Sequence, residues 1–480
     1  MSTTLLAPGP VPEASAVRSR AGRKPSPTVV ILILSAAGIA FSVLQSLVAP
    51  ALGLIAKDLH TSAGNASWIL TAYLLSASVM TPILGRLGDM VGKRRMLLIV
   101  LAVLAGGTVV AGLATSLPTM IVGRALQGAA GGILPLSIGI VRDELPRERV
   151  GVAVGLLSAV AGIGAVVGII AAGPIVDHLS WQWLFWFPLI LIIVATVGAA
   201  IGIPESPVRA PGRLDVVGTA ILSTSLVTLM LAISKGREWG WTSATTLTLL
   251  SVGVVALIVF VVVELRVAEP LVDMRLMAQR GVWPTNVIGF VSGFALFGTF
   301  LLIPMLLELP AATGYGFGKS ITQAGLFLLP TVIMLLVFGP LSGILAKRVG
   351  AKVPLLVGSI LVSVAYAQLA IAHTTLWQIV LSGLLTGAGM GLLFAAMSNA
   401  IIDVVPATHT GEAISVNSIT RTIGGSIGTS VVAAVLIANS TPRGLPLDAA
   451  FTQGFWICAA VAAASVVAAL ALPKRRRSSQ

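Results

Sequence analysis

The chain has 480 residues, of which 56% are hydrophobic and only 10% charged, with a mean hydropathy of +1.01. Soluble domains carry about 25% charged residues, so this composition excludes a water-solvated globule and calls for lipid over much of the surface. The net charge of +13 does not indicate nucleic acid, because the basic residues sit in short links between apolar runs, the pattern that orients a membrane protein.

Residues 1–27 are rich in Pro, Ser and Arg and lack an apolar core. They read as a cytoplasmic tail rather than a cleavable signal, since the first apolar run is too long and is followed by more. A span needs roughly 20 residues. Runs of that kind cover 28–56, 63–84, 96–116, 119–141, 150–176, 183–203, 215–234, 245–265, 284–308, 321–345, 353–372, 376–402, 411–437 and 452–472. The fold class read from them is all-α and polytopic, with 14 spans. Lys474–Arg477 forms a basic C-terminal tail. With the N-terminus inside, only Lys57, Lys235, Arg237, Lys319 and Arg443 fall outside, and Arg124 and Arg421 lie within or at the edge of helices. The remaining basic residues are inside, which fits an even count and two cytoplasmic termini.

The chain repeats. Gly85-x-Leu87-x-Asp89-x-x-Gly92 follows the second run and Gly343-x-Leu345-x-Lys347-x-x-Gly350 follows the tenth. Parallel repeats are the build of alternating-access carriers. The repeat offset is eight helices rather than six, so two extra helices lie between the halves. The expected units are a tail (1–27), a six-helix bundle (28–206), two inserted helices (207–268), a second six-helix bundle (269–473) and a basic tail (474–480).

Several classes are disfavoured. Cys458 is the only cysteine, so no intrachain disulfide can form, and it reads as a buried thiol. No pair among the four His has metal-ligand spacing, and no Gly-rich segment is followed by Gly-Lys-Ser or Gly-Lys-Thr, so an ion gradient rather than ATP is the expected energy source. Asp143 and Glu144 have no His or Cys nearby, which argues against an enzyme. No cofactor or metal is expected.

The segment Gly85-Arg86-Leu87-Gly88-Asp89-Met90-Val91-Gly92-Lys93-Arg94-Arg95 resembles the loop between helices 2 and 3 of the major facilitator superfamily. The order of Leu214-Asp215-Val216-Val217-Gly218, Glu238-Trp239-Gly240-Trp241, Pro270-Leu271-Val272-Asp273 and Arg421-Thr422-Ile423-Gly424-Gly425-Ser426-Ile427-Gly428 resembles its 14-helix drug:proton antiporter branch. The resemblance implies a major facilitator fold in a bacterial inner membrane. It also implies a monomeric exporter of small amphiphilic substrates, coupled to protons, with lipid and no nucleic acid as its surroundings. Gly85, Asp89, Gly92, Lys93 and Arg94 would form an inner-loop latch, Asp89 facing a helix N-terminus or an Arg of the other half. Arg124 in Arg124-x-x-Gln127-Gly128 corresponds to an Arg linked to proton coupling, and an Arg in a span needs a wet cavity or a partner.

Gly164, Gly168, Ala172, Gly173 and Pro174 resemble the packing stripe of exporters, although Ile169 stands where Pro is common. The first run departs further: Phe41 stands where the family has an Asp, and Ser46 where it has an Asn before Pro50. Coupling then falls to Asp89 with Arg124, or to Glu308, and an uncoupled facilitator stays open, as does a dedicated exporter of one metabolite or antibiotic. The polar and aromatic residues Gln45, Ser46, Trp68, Tyr73, Gln127, Asn286, Asn399 and Asn417 are the expected cavity lining. Their poverty in charge suits amphiphilic or hydrophobic compounds.

Overall fold

The computed structural model describes residues 26–206, 212–441 and 445–472; the basic C-terminal tail and nearly all of the N-terminal tail lie outside them. The chain is all-helical. Its long helices are α1 (Pro27–Asp58), α2 (Trp68–Val91), α3 (Lys93–Gly112), α4 (Leu117–Glu144), α5 (Arg147–His178), α6 (Trp183–Gly202) and α7 (Val216–Trp239). They continue as α8 (Ala244–Glu264), α9 (Trp283–Glu308), α10 (Leu329–Val349), α11 (Lys352–Ile371), α12 (Leu376–Val404), α13 (Thr410–Ala438) and α14 (Asp448–Ala471). Thirteen segments among the described residues are long and apolar enough to cross a membrane. α5 has 32 residues, about 48 Å at the rise of an α-helix.

Two apolar cores organise the molecule. One is built mainly from α1–α6 and the other from α9–α14, and these two groups of helices are called the two bundles below. Of these thirteen segments α12 is the most interior, with 78% of its apolar window buried, and α8 the least, with 17%, which makes it the most outward-facing of them. α8 packs on α7, where Ser225 Oγ donates to Gly253 O at 2.8 Å. α7 lies at the seam between the bundles. Ser234 Oγ pairs with Thr71 Oγ1 of α2 at 3.1 Å, and Ser430 Oγ of α13 donates to Ile233 O at 3.3 Å.

The sequence places the glycine signature in a loop, and the structure corrects this. Residues Gly85–Val91 are the last two turns of α2, and the whole link to α3 is Gly92. Its φ of 122° is the left-handed region that favours glycine. The helix runs on through its charges because Arg86, Asp89 and Lys93 are buried and paired rather than solvated. The second copy behaves alike: Gly343–Lys347 lies inside α10, which ends at Gly350 with φ 83°. For the same reason Lys235, read as a residue of a link, belongs to α7. It is 1% exposed, with Nζ 2.5 Å from Ser67 Oγ and 2.7 Å from Glu238 Oε2.

Candidate functional site: a closed end and a central cavity

α2 and α13 cross antiparallel, Thr81 beside Ser415 and Gly85 beside Gly411. The approach is so close that a Cβ on Gly85 would stand 2.7 Å from Gly411 O. Asp89, one turn further, therefore meets the start of α13, and its Oδ2 accepts the Glu412 backbone N–H at 3.2 Å. A carboxylate is stabilised there by the helix dipole and by free N–H groups. Lys93 Nζ lies 2.7 Å from Asp143 Oδ2 and 3.5 Å from Asp89 Oδ1, all three side chains at 1% exposure or less. Glu412 receives Arg86 at 3.8 Å and His409 at 2.9 Å. Arg142 of α4 reaches across to the end of α12, donating to Ile402 O (2.9 Å), Val405 O (2.8 Å) and Pro406 O (3.2 Å), and to Thr410 Oγ1. Arg94 takes no part in these contacts; its guanidinium donates to Ala200 O of α6 within its own bundle.

Glycine contacts extend the closure along α5 and α10. Gly151 faces Gly343 and Gly155 faces Gly339, where an added Cβ would stand 2.2 Å from the opposite carbonyl oxygen. The stripe of small residues higher on α5 turns to α1 instead. A Cβ on Gly164 would be 2.5 Å from Ser42 Cβ, and one on Gly168 would be 2.8 Å from Ser46 Cβ. Ala172 is buried, Gly173 lies near Thr322, and Pro174 remains inside the helix.

Away from this closed end lies a cavity of about 190 Å³ lined from both bundles, by α1, α2, α4 and α5 on one side and α9, α10, α12 and α13 on the other. Drug-sized ligands occupy roughly 300–1,000 Å³, so the space must widen to admit one. Of the expected lining only Gln45 and Tyr73 reach it. The other six are drawn off by partners or packing. Ser46 Oγ donates to Ser42 O, and Trp68 stacks on the Lys235 ammonium. Gln127 is wholly buried between Arg124 and Thr108. Asn417 donates to Asn286 Oδ1 (3.1 Å) and Thr285 O (3.2 Å), and Asn399 is buried near Gly151. Buried amides seek partners more strongly than open space, which polarity counted along a sequence does not show.

The lining that sequence reasoning missed is aromatic and cationic: Phe41, Phe297, Phe300, Phe394 and Arg421. Arg421 had a signal, since it stands well inside a predicted span.

The three residues proposed for coupling are not neighbours. Arg124 is completely buried, with Nε donating to Ile69 O (3.2 Å), Nη1 to Gln127 Oε1 (2.7 Å), and its guanidinium 4.4 Å from the Tyr73 ring centroid. Tyr73 precedes Asp89 by sixteen residues of one helix, about 24 Å. α9 and α13 run in the same direction, Gly289 beside Asn417 and Gly298 beside Val432. Glu308, at the far end of α9, is therefore at the opposite end from Asp89, and it is exposed.

A cavity shared by two bundles and shut at one end by contacts between them is the arrangement of a carrier. The model of the Major Facilitator Superfamily matches residues 30–270 and 285–480. The chain belongs to that superfamily. It is a multi-pass membrane transporter of small molecules. It is 27% identical over 378 residues to a multidrug transporter protein of Bacillus subtilis, covering 78% of this chain and 69% of the relative. With the tetracenomycin C resistance and export protein of Streptomyces glaucescens it shares 30% over 436 residues, 89% of this chain and 78% of the relative. The fold matches a human organic anion transporter, with a TM-score of 0.65 at 16% identity, covering 93% of this chain and all of the other. It also matches a proton:xylose symporter, at 0.64 and 14%, covering 92% and 94%.

Proposed function

We propose that this transporter is a secondary active exporter of hydrophobic or amphiphilic small molecules, working by alternating access in a bacterial inner membrane. The chain crosses fourteen times with both termini in the cytoplasm, which puts the Asp89 end inside. Its units are two six-helix bundles (28–206 and 269–473) separated by an inserted pair (207–268), between the tails 1–27 and 474–480. The observation that carries the reading is the cluster of Asp89, Lys93, Arg142 and Glu412, which shuts one end of a cavity both bundles line. The named exporters among its relatives support the direction. Protons are exchanged at Asp89, the buried acid on the moving seam, with Arg124 setting the position of Tyr73 at the cavity wall. Phe41 in that wall supports a second reading, transport without proton coupling, because no carboxylate lines the cavity among the described residues.

The test is purified protein in liposomes holding a pH-sensitive dye, given amphiphiles under an imposed proton gradient. Proton flux that appears only with substrate, and is lost in Asp89→Asn or Arg124→Ala, supports antiport. Substrate movement without proton flux selects the uncoupled reading. No movement of any compound refutes export of amphiphiles.

A further inference from the structure

Two arginines sit deep among the helices, and they differ in one respect. Arg124 spends its N–H groups on Ile69 O and Gln127. Arg421 has no hydrogen bond or ion pair from its guanidinium among the described residues, and it is the one charged side chain of the cavity wall. Its guanidinium carbon lies 4.7 Å from the Phe394 ring centroid. A contact of this kind with a ring takes no hydrogen-bond acceptor from the group and leaves its N–H fork to grip a carboxylate. Arg421 is eleven residues into α13, about 16 Å from its start, too deep for the side chain to reach an aqueous end. An intramembrane charge of this kind marks a ligand or ion path. The wall also holds Phe41, Phe297 and Phe300 and, among the described residues, no carboxylate.

We infer that the cavity is an organic-anion site, in which Arg421 receives the carboxylate, sulfonate or phenolate of an amphipathic aromatic substrate while the phenylalanine rings take its apolar body. A cationic amphiphile would instead meet a like charge with nothing to offset it. This deepens the exporter reading and rests on it for the direction of movement, though not for binding.

The experiment uses three shape-matched fluorescent probes: anthracenecarboxylate, its neutral carboxamide, and anthracenemethylammonium. Binding to the full chain in neutral detergent is measured first. The carboxylate is expected to bind about tenfold or more tighter than the carboxamide, the worth of a charge-assisted hydrogen bond. Arg421→Gln is expected to abolish that difference while lowering carboxamide affinity far less than carboxylate affinity, and Arg421→Lys to retain part of it. Phe394→Leu should weaken all three probes alike. Equal binding of carboxylate and carboxamide, preference for the ammonium, or binding of none of the three overturns the anion site. So does Arg421-dependent binding of phosphatidylglycerol with no binding of the carboxylate, which would make the site one for a lipid headgroup. Should Arg421→Gln fail to fold, the wild-type series and Arg421→Lys still decide. Transport in liposomes separates the two readings: movement without preference for the anion keeps the exporter and removes the anion site. Arg421-dependent binding without movement of any probe keeps the anion site and removes the exporter.

Discussion

Gly155→Ala is the sharpest probe of the closed end. The new Cβ would stand 2.2 Å from Gly339 O and 2.6 Å from its carbonyl carbon, against about 3.4 Å for ordinary contact. The shortfall of about 1.2 Å is against backbone on both sides, so no side chain can rotate away. Overpacking of this kind costs about 1–3 kcal/mol. If α5 and α10 separate at this end when the carrier opens, the cost falls on the closed state alone. The equilibrium then shifts roughly 5–150-fold, and an open state held at about 1% rises to roughly 5–60%. The assay is pulsed electron resonance between spin labels at Arg147→Cys and Arg348→Cys, near the ends of α5 and α10, in a Cys458→Ala background. Gly155→Ala should move the distances from a short to a long population. Gly162→Ala on the same helix, where the nearest atom is Leu335 Cδ1 at 3.1 Å, should shift them far less, because that side chain can turn. Unchanged distances in Gly155→Ala, or equal shifts in both variants, would refute a gate at this crossing.

Other perturbations bear on the same seam. Lys93→Met strands Asp89 and Asp143 without their cation, at a cost of about 3–5 kcal/mol; the melting temperature in detergent should fall, and Asp89→Asn in the same chain should restore part of it. Arg142→Ala removes donors to three carbonyls of the other bundle, each worth about 1.5–3 kcal/mol before water replaces them. The long-distance population should grow, and Arg142→Lys should not rescue it, since an ammonium cannot fork across several carbonyls. Glu308→Gln should leave the transport rate within about twofold of wild type, as for an exposed residue away from packed contacts, measured in the same liposomes; abolition would return Glu308 to the coupling path.

Much of the fold was legible because lipid enforces it. The apolar runs exist to hide backbone polar groups from hydrocarbon, so the long helices lie where those runs do. The boundaries failed where charges were buried. Arg86, Asp89 and Lys93 look like a solvated link by sequence, but each has a partner, and Arg86 and Asp89 share one, Glu412, more than 300 positions away. The cavity was legible only in part for the same reason. Asn286 and Asn417 are polar residues of core helices, and Asn417 donates to Asn286 rather than to the cavity. Phe41 was noted for the acid it replaces, yet its ring is itself part of the wall. Which polar groups find partners is a property of the packing, and helix periodicity does not encode it.

If the closed end is the gate of the proposed exporter, its make-up explains how such a gate is both tight and reversible. A seam held by large apolar side chains would lose about 25 cal/mol for every Å² exposed on opening, and a carrier has to open it in each cycle. Here the apposed surfaces are glycines at 85, 151, 155, 339, 343 and 411, which bring backbones close while burying little apolar side-chain area. The rest of the contact is ionic. For Lys93 with Asp89 and Asp143, desolvation offsets much of the Coulomb attraction, so the intact cluster adds little net stability while any broken member is expensive. Such a seam closes in one register, because each charge has its one place, and its opening exposes little apolar side-chain area. Register comes from the charges and closeness from the glycines: Gly85 and Asp89 stand one turn apart on α2, and Lys93 follows at the start of α3 across Gly92.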